Sequence, residues 1–507
     1  MNSNINWRDL MNSANAAGTH KAAPFIDEDL TLETPAQIST IQAVTLNSNV
    51  DSLDVKTTEF IHGAASELRY VASNRAWLYW DNHVWKWDTT GRAREMVKDF
   101  GRTHVYPVAS ETDEQKKRRL YWYKELTTPR GISDLLSLAM TDPMMAATPD
   151  QFDAGITELN TPAGVVSLRT GEISEPNPAK LVKRSTTVAP DATCKTPLYE
   201  NLLAEAFFGR PELSEYFDAM MGVTLLKGQQ EQVFLYMYGK AGSGKGTLMN
   251  IAKEILGTGE TGYTAYVDAD MFVSSRMKQH PTELMQFLGA RMVITSEITQ
   301  GQKMDTGKLK RTTGGDPITG RYMGKDYVTF NPTHTLWLMA NDRLQVPHDD
   351  AGVWRRLRVI PFDFAKKESE QVGGLLERIL KEEGSGILAR WISKASAYLN
   401  SGLETPAVVL DAREQYITDQ DTVKEWLETA CHIDAESSAA ASAARESYVN
   451  WCKLERRTPL SSQKFSQDLR DKGFAYGTKR VTGYGGKTTQ VRKYSGFEVI
   501  DGVTASV

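Results

Sequence analysis

VFLYMYGKAGSGKGTLMNIAKEIL, residues Val233 to Leu256, decides the fold class of this chain. The apolar run Val233 to Tyr238 predicts a buried strand, and TLMNIAKEIL predicts a helix. Between them lies a loop with glycines at 239, 242, 244 and 246. Strand, glycine loop and helix in this order form a phosphate-binding loop: backbone N–H groups turn inward around a triphosphate, Lys245 supplies a charge for the β and γ oxygens, and the helix N-terminus adds its partial positive charge. The ATP-binding set is Gly239, Gly242, Ser243, Gly244, Lys245, Gly246 and Thr247. Gly246 departs from the usual pattern, in which the residue after the lysine gives a hydroxyl to Mg²⁺. Here the hydroxyl belongs to Thr247, about 100° further round the helix.

Working outward from the loop, PTELMQFLGA predicts a helix ending near Gly289, and RMVITSE predicts a strand with Glu297 at its carboxyl end. In an α/β sheet that end faces the nucleotide. Glu297 is therefore the candidate to polarise the attacking water, and Ser296, Thr247 and Glu297 are the candidate Mg²⁺ donors. THTLWLMAN predicts another strand, ending in Asn341, whose amide suits a contact to the γ-phosphate or the water. WRRLRVIPF, Trp354 to Phe362, carries two arginines ahead of a further strand. A fixed planar charge so far from its own loop is suited to a neighbouring subunit's ATP, which requires an oligomer.

At 507 residues the chain exceeds one ordinary core. A formal charge of −5 leaves nucleic-acid contact to local basic patches. Cys194, Cys431 and Cys452 are far apart and form no CxxC pair, and no signal peptide or long apolar span is present. A reducing cytoplasm is expected, with the cysteines as packing residues and no membrane partner. The histidines show no zinc-ligand spacing.

Residues 1–55 read as a flexible tail and 56–195 as a mostly helical amino-terminal domain. Within the latter, WLYWDNHVWKWD forms two aromatic strands about a turn at Asp81–His83. Its tryptophans read as cross-strand packing, with base stacking as the alternative. KKRRLYWYK, Lys116 to Lys124, reads as a solvated helix face beside a core stripe, and NTPAGVVSLRTGEI as strand, turn and strand. Residues 196–232 read as amphipathic helix leading into the ATPase domain, 233–405. Beyond it, residues 406–507 combine an alanine-rich helix from Ser437, a second helix capped by Ser461 or Ser462, and a glycine-tipped hairpin. On the helix after Ser437, Tyr448, Trp451 and Leu454 share one side. Helices followed by a hairpin resemble a winged helix. Lys479, Arg480 and Lys487 lead its basic patch, with Lys464, Arg470, Lys472, Arg492 and Lys493, and the partner is duplex or origin DNA.

The loop, Glu297, Asn341 and arginine signals, in this order, resemble the superfamily 3 helicases, specifically the phage and plasmid primase-helicase family with its poxvirus-type helicase amino-terminal domain. The similar stretches run from LRYVASNRAWLYWDNHVWKWD to GILARW and YLNSGLETP. The resemblance implies an α/β chain with an AAA+-like P-loop ATPase core and a winged helix. It implies a homo-hexameric ring that moves 3′ to 5′ along single-stranded DNA in its pore, using ATP and Mg²⁺ at subunit interfaces in the host cytoplasm. Lys245 is then the phosphate clamp, Glu297 the water activator, Asn341 the sensor and Arg356 the finger, ahead of Arg355. Lys310, Arg321 and Lys325 belong to the DNA-gripping pore element. The family's primase domain has no counterpart ahead of the helicase region, so no primer synthesis is expected and a separate primase is an expected partner. The alternative is an ATP-gated initiator that melts or loads on origin DNA without processive unwinding.

Overall fold

A computed structural model describes residues 52–274, 282–298, 303–324, 326–341, 344–347, 350–365, 373–455, 457, 459–482 and 488–500, without the side chains of 479–482 and 488–489. Helix α1 (Leu53–Ala64) opens the described part, with the Ser52 hydroxyl accepting the Val55 amide. That N-cap starts a helix inside the stretch read as tail to residue 55. Strands β1 (Leu68–Val71), β2 (Ala76–Trp80) and β3 (Trp85–Trp87) form an antiparallel meander. Asp81 accepts the His83 and Val84 amides at the turn. Trp80 and Trp85 are buried with ring centroids 5.7 Å apart, so these two are core residues.

Helices α2 (Arg92–Phe100), α3 (Asp113–Leu126) and α4 (Pro129–Ala139) share an apolar core with α1. On α3, Trp122 and Leu126 face inward while Arg118 and Arg119 pair with Glu114 and Glu111, the solvated face expected of KKRRLYWYK. Strand β4 (Ala146–Ala147) pairs in parallel with β1. Strands β5 (Glu158–Thr161), β6 (Gly164–Ser167) and β7 (Ile173–Ser174) make a second small sheet.

Residues 196–232 hold two helices, α5 (Pro197–Ala206) and α6 (Pro211–Thr224), and α6 differs from the expected amphipathic pattern. Met220 to Thr224 are all buried, since this end of the helix is enclosed on every side. Next come β8 (Phe234–Gly239), α7 (Lys245–Leu256), β9 (Thr264–Val267) and β10 (Met292–Ile298). Glu283–Phe287 is a short 3-10 turn where a longer helix is expected. Met285 and Phe287 are both buried although about 120° apart round a 3-10 axis, so the short turn is held on two sides. Then follow α8 (Thr306–Thr313), β11 (Ile318–Gly320), β12 (Val328–Phe330), β13 (Thr335–Ala340), α9 (Ala351–Trp354), β14 (Leu357–Phe362) and α10 (Leu375–Ser401).

The main sheet has the order β14-β8-β13-β10-β9, parallel throughout. Its central strands are apolar on both faces, as a sheet covered on both sides requires. Helix α10 lies against α6, and Gly222 permits the contact: a Cβ there would stand 2.6 Å from the Ala395 amide nitrogen. Two buried acids fix the packing. Glu383 of α10 accepts the Leu198 and Tyr199 amides at 2.7 and 2.8 Å, capping α5 from another helix. Asp218 of α6 meets Arg390 at 2.6 Å and the Tyr199 hydroxyl at 2.8 Å. The amino-terminal module is tied to the core by buried Arg291, which donates to the Leu225 and Glu158 carbonyls and stands 4.7 Å over the Tyr263 ring.

The chain divides into two compact units: the described parts of Met1–Leu344 with Arg356–Val409, and of Gln345–Arg355 with Leu410–Val507. After α11 (Ala407–Gln420), the second unit holds α12 (Thr422–Ala430), β15 (Cys431–Ala440), α13 (Ala441–Leu454), α14 (Ser462–Asp471), β16 (Tyr476–Thr482) and β17 (Thr488–Val499). Residues 437–440 are strand, not the expected helix. Ser438, Ala439 and Ala440 pair with Ser495, Tyr494 and Lys493, and such a ladder outweighs alanine's preference of a few tenths of a kcal/mol per residue. Tyr448 and Trp451 are buried as expected, whereas Leu454, the last residue of the helix, is exposed. Ser461 caps α14 through the Lys464 amide. Burial pushes the Cys431 thiol up to about 12, in keeping with a packing role.

Candidate nucleotide site

The loop between β8 and α7 sits at the carboxyl end of the parallel sheet. Gly239 answers to packing there, since a Cβ would stand 2.1 Å from the Phe362 carbonyl oxygen of β14. Gly244 is left-handed, φ 90°, as N-cap of α7, and turns the first helical N–H groups toward the loop. Lys245 is buried. Its ammonium donates to the Gly239 carbonyl at 2.6 Å, the Lys240 carbonyl at 2.9 Å and Ser243 Oγ at 3.2 Å. Burial holds its pKa below the usual lysine value, against a smaller opposing pull from the Glu297 carboxylate. An added Cβ on Gly246 would meet nothing within 4 Å, so a side chain is sterically acceptable at this position. Thr247, with Gly242, Ser243 and Gly244, lines a cleft of about 260 Å³ to which Leu202 and Phe364 add apolar walls.

Glu297 and Asn341 are brought together, the Asn341 amide donating to the Glu297 carboxylate at 2.6 Å. A β-bulge makes this possible. Ile294 pairs with Trp337 but Glu297 with Met339, so β10 spends three steps where β13 spends two. The extra residue turns Glu297 to the face of Met339, which alternation also gives to Asn341. Thr295 Oγ1 accepts the buried Met339 amide at 3.3 Å within the bulge. The Ser296 hydroxyl accepts the Ala269 amide at 2.9 Å, tying β10 to the segment after β9.

Arg356 lies at the other end of the sheet. Its carbonyl accepts the Phe234 amide at the start of β8, whereas Gly239 ends that strand beside Phe362. Six strand residues separate the two ends by roughly 20 Å. Arg356 is half-buried near Gly314, a Cβ on which would stand 3.6 Å from its Nη2. Thus Lys245, Glu297, Asn341 and Thr247 share one end, and Arg356 does not join them within one chain.

Among the candidate DNA-contacting residues, Lys310 lies on α8 and is half-buried. Arg321 starts the tip of the β11–β12 hairpin with its guanidinium 4.9 Å over the Tyr327 ring. Lys325 and Lys487 lie outside the described residues, as do the side chains of Lys479 and Arg480. Lys472 is paired with Asp421 and Asp468 inside its own unit. The bulge at Thr295 and the cleft residues Leu202 and Phe364 are not foreseen from sequence. The bulge depends on a register between distant strands, and the cleft joins segments more than 150 positions apart.

Residues 58–208 match the family described as D5 N terminal like, and residues 237–356 match a family of unknown function, DUF5906. The amino-terminal module is D5-like. The chain is similar to viral proteins named as putative helicases. One, from Acanthamoeba polyphaga mimivirus, is 30% identical over 154 residues, covering 30% of this chain and 15% of that protein. Another, from Sputnik virophage, is 24% identical over 214 residues, covering 39% of this chain and 26% of that protein. The matched part therefore spans about a quarter or less of either relative. A solved apo structure of the NrS-1 C terminal region gives a TM-score of 0.46 at 11% identity, over 88% of this chain and 100% of that one.

Proposed function

We propose that this chain is an ATP-driven DNA helicase acting in replication, six copies forming a ring around one DNA strand with ATP hydrolysed between neighbours. The observation that carries the reading is the division of the four signals between opposite ends of one sheet. Lys245, Glu297 and Asn341 converge at the loop, while Arg356 lies roughly 20 Å away along β8, the arrangement expected of a finger directed at the next subunit. The names of the viral relatives support helicase activity.

In this reading the loop amides and Lys245 bind the β and γ oxygens, Lys245 giving up hydrogen bonds to loop carbonyls in exchange. Glu297 orients the water and takes its proton. Asn341, already bonded to Glu297, reports whether the γ-phosphate is present. The Thr247 hydroxyl and Glu297 carboxylate supply the hard oxygen donors suited to Mg²⁺, which when bound neutralises phosphate charge. Arg356 stabilises the transferring phosphoryl group of the adjoining protomer. The helix, strand, two helices and hairpin from Thr422 to Val499 support a winged helix for duplex DNA.

Mixing two inactive variants tests the shared site. Lys245→Ala and Arg356→Ala should each lower ATP turnover at least a hundredfold. A one-to-one mixture should regain about a quarter of wild-type turnover, the share of random interfaces with both residues intact. Normal turnover by Arg356→Ala alone, or a mixture as inactive as its components, would sink the interface reading. Displacement of a forked duplex by the wild type tests the motor.

A further inference from the structure

The β11–β12 hairpin stands apart from the other sheets as a two-stranded unit, its register pinned by the Thr319 and Thr329 hydroxyls 2.9 Å apart. Its tip displays apolar groups that a free surface turn has no reason to carry. Tyr322, Met323 and Tyr327 are 47%, 83% and 61% exposed. The Arg321 guanidinium lies 4.9 Å over one face of the Tyr327 ring, so that ring is held in place with much of its surface open. Gly324, φ 70°, makes the turn between them. A phosphate grip alone calls only for cations. A ring clamped by a guanidinium, with a flexible thioether on the same tip, is a surface for flat, polarisable groups, with a positive charge at hand for the backbone that carries them.

We propose that Tyr327, braced by Arg321 and with Met323 exposed on the same hairpin tip, is a base-stacking site for single-stranded DNA, so that the hairpin holds bases as well as phosphates. This rests on the helicase reading above and adds to it the mode of grip. Asp326 is the one acid at the tip and sets a modest electrostatic opposition, which stacking offsets independently of salt.

The test compares two fluorescent strands of equal length, oligo-dT and a strand of abasic tetrahydrofuran residues, binding the full chain in the presence of a slowly hydrolysed ATP analogue. The wild type should prefer oligo-dT by about tenfold or more. Tyr327→Ala should erase most of that preference by weakening oligo-dT alone, while Tyr327→Phe should keep it. Tyr327 is mostly solvent-exposed, so the alanine variant is expected to fold. Equal weakening of both strands by Tyr327→Ala, or an unaltered preference, would overturn base stacking while leaving a phosphate-gripping helicase intact. If the wild type binds neither strand, the helicase reading itself falls, and this proposal with it.

Discussion

At the scale of single residues, the loop glycines have different causes. Gly239 leaves room for β14, Gly244 supplies a left-handed N-cap, and Gly246 has open space beside it. Gly242, φ 78°, is left-handed as well, so of the four only Gly246 is not demanded by the fold. His334, just ahead of β13, is fully buried against Phe287, and neither ring nitrogen has a hydrogen-bond partner among the described residues. Burial holds its pKa near 3, down from 6.5. The folded state therefore stays unprotonated where the unfolded chain takes a proton, so stability is intact above about pH 6.5 and falls as the pH drops toward 3. The linkage amounts to about 2 kcal/mol between pH 7 and pH 5. His334→Phe keeps a buried ring and removes the titration. Its loss of stability over that range, from urea midpoints, should be smaller than the wild type's by about this amount, and equal losses would show that His334 finds a proton partner.

At the scale of elements, the bulge in β10 connects packing to chemistry. Thr295 Oγ1 accepts a buried amide of β13, and the added residue sets Glu297 beside Asn341. Thr295→Val conserves shape but leaves the Met339 amide without this acceptor, which should destabilise the chain by about 1–3 kcal/mol. It should lower ATP turnover more than nucleotide affinity, because Glu297 is displaced while the loop is untouched. Thr295→Ser should restore both. If nucleotide affinity falls in parallel with turnover, the bulge is not what orients Glu297. The carboxylate cap that α10 gives α5 has the same character: Glu383 fixes the helix that carries Leu202 to the cleft, yet it stands 184 positions from Tyr199.

At the scale of the whole molecule, the reading requires an assembly. Light scattering should show the wild-type chain moving from one copy toward about six with an ATP analogue and single-stranded DNA present. A chain that stays single while hydrolysing ATP at full rate would rule out a site shared between subunits. Much of the site is legible beforehand. The loop, Glu297 and Asn341 each lie at the end of an apolar strand, and both the strand and its terminal residue are local facts. The same local signals mislead at Ser437–Ala440, where alanine suggests helix and β17 imposes a strand, and at Glu283–Phe287, where a short turn replaces a longer helix. Read alone, the sequence carries the loop proposed here to bind phosphate, because such a loop is built from contiguous backbone and one adjacent lysine. It also determined which strands are buried, through their unbroken apolar runs. Tertiary packing alone brings Glu297 to Asn341, puts Arg356 at the far end of the sheet, and sets Leu202 and Phe364 along the cleft. These depend on strand order, register and packing between segments far apart in the chain, which no local pattern of residues encodes.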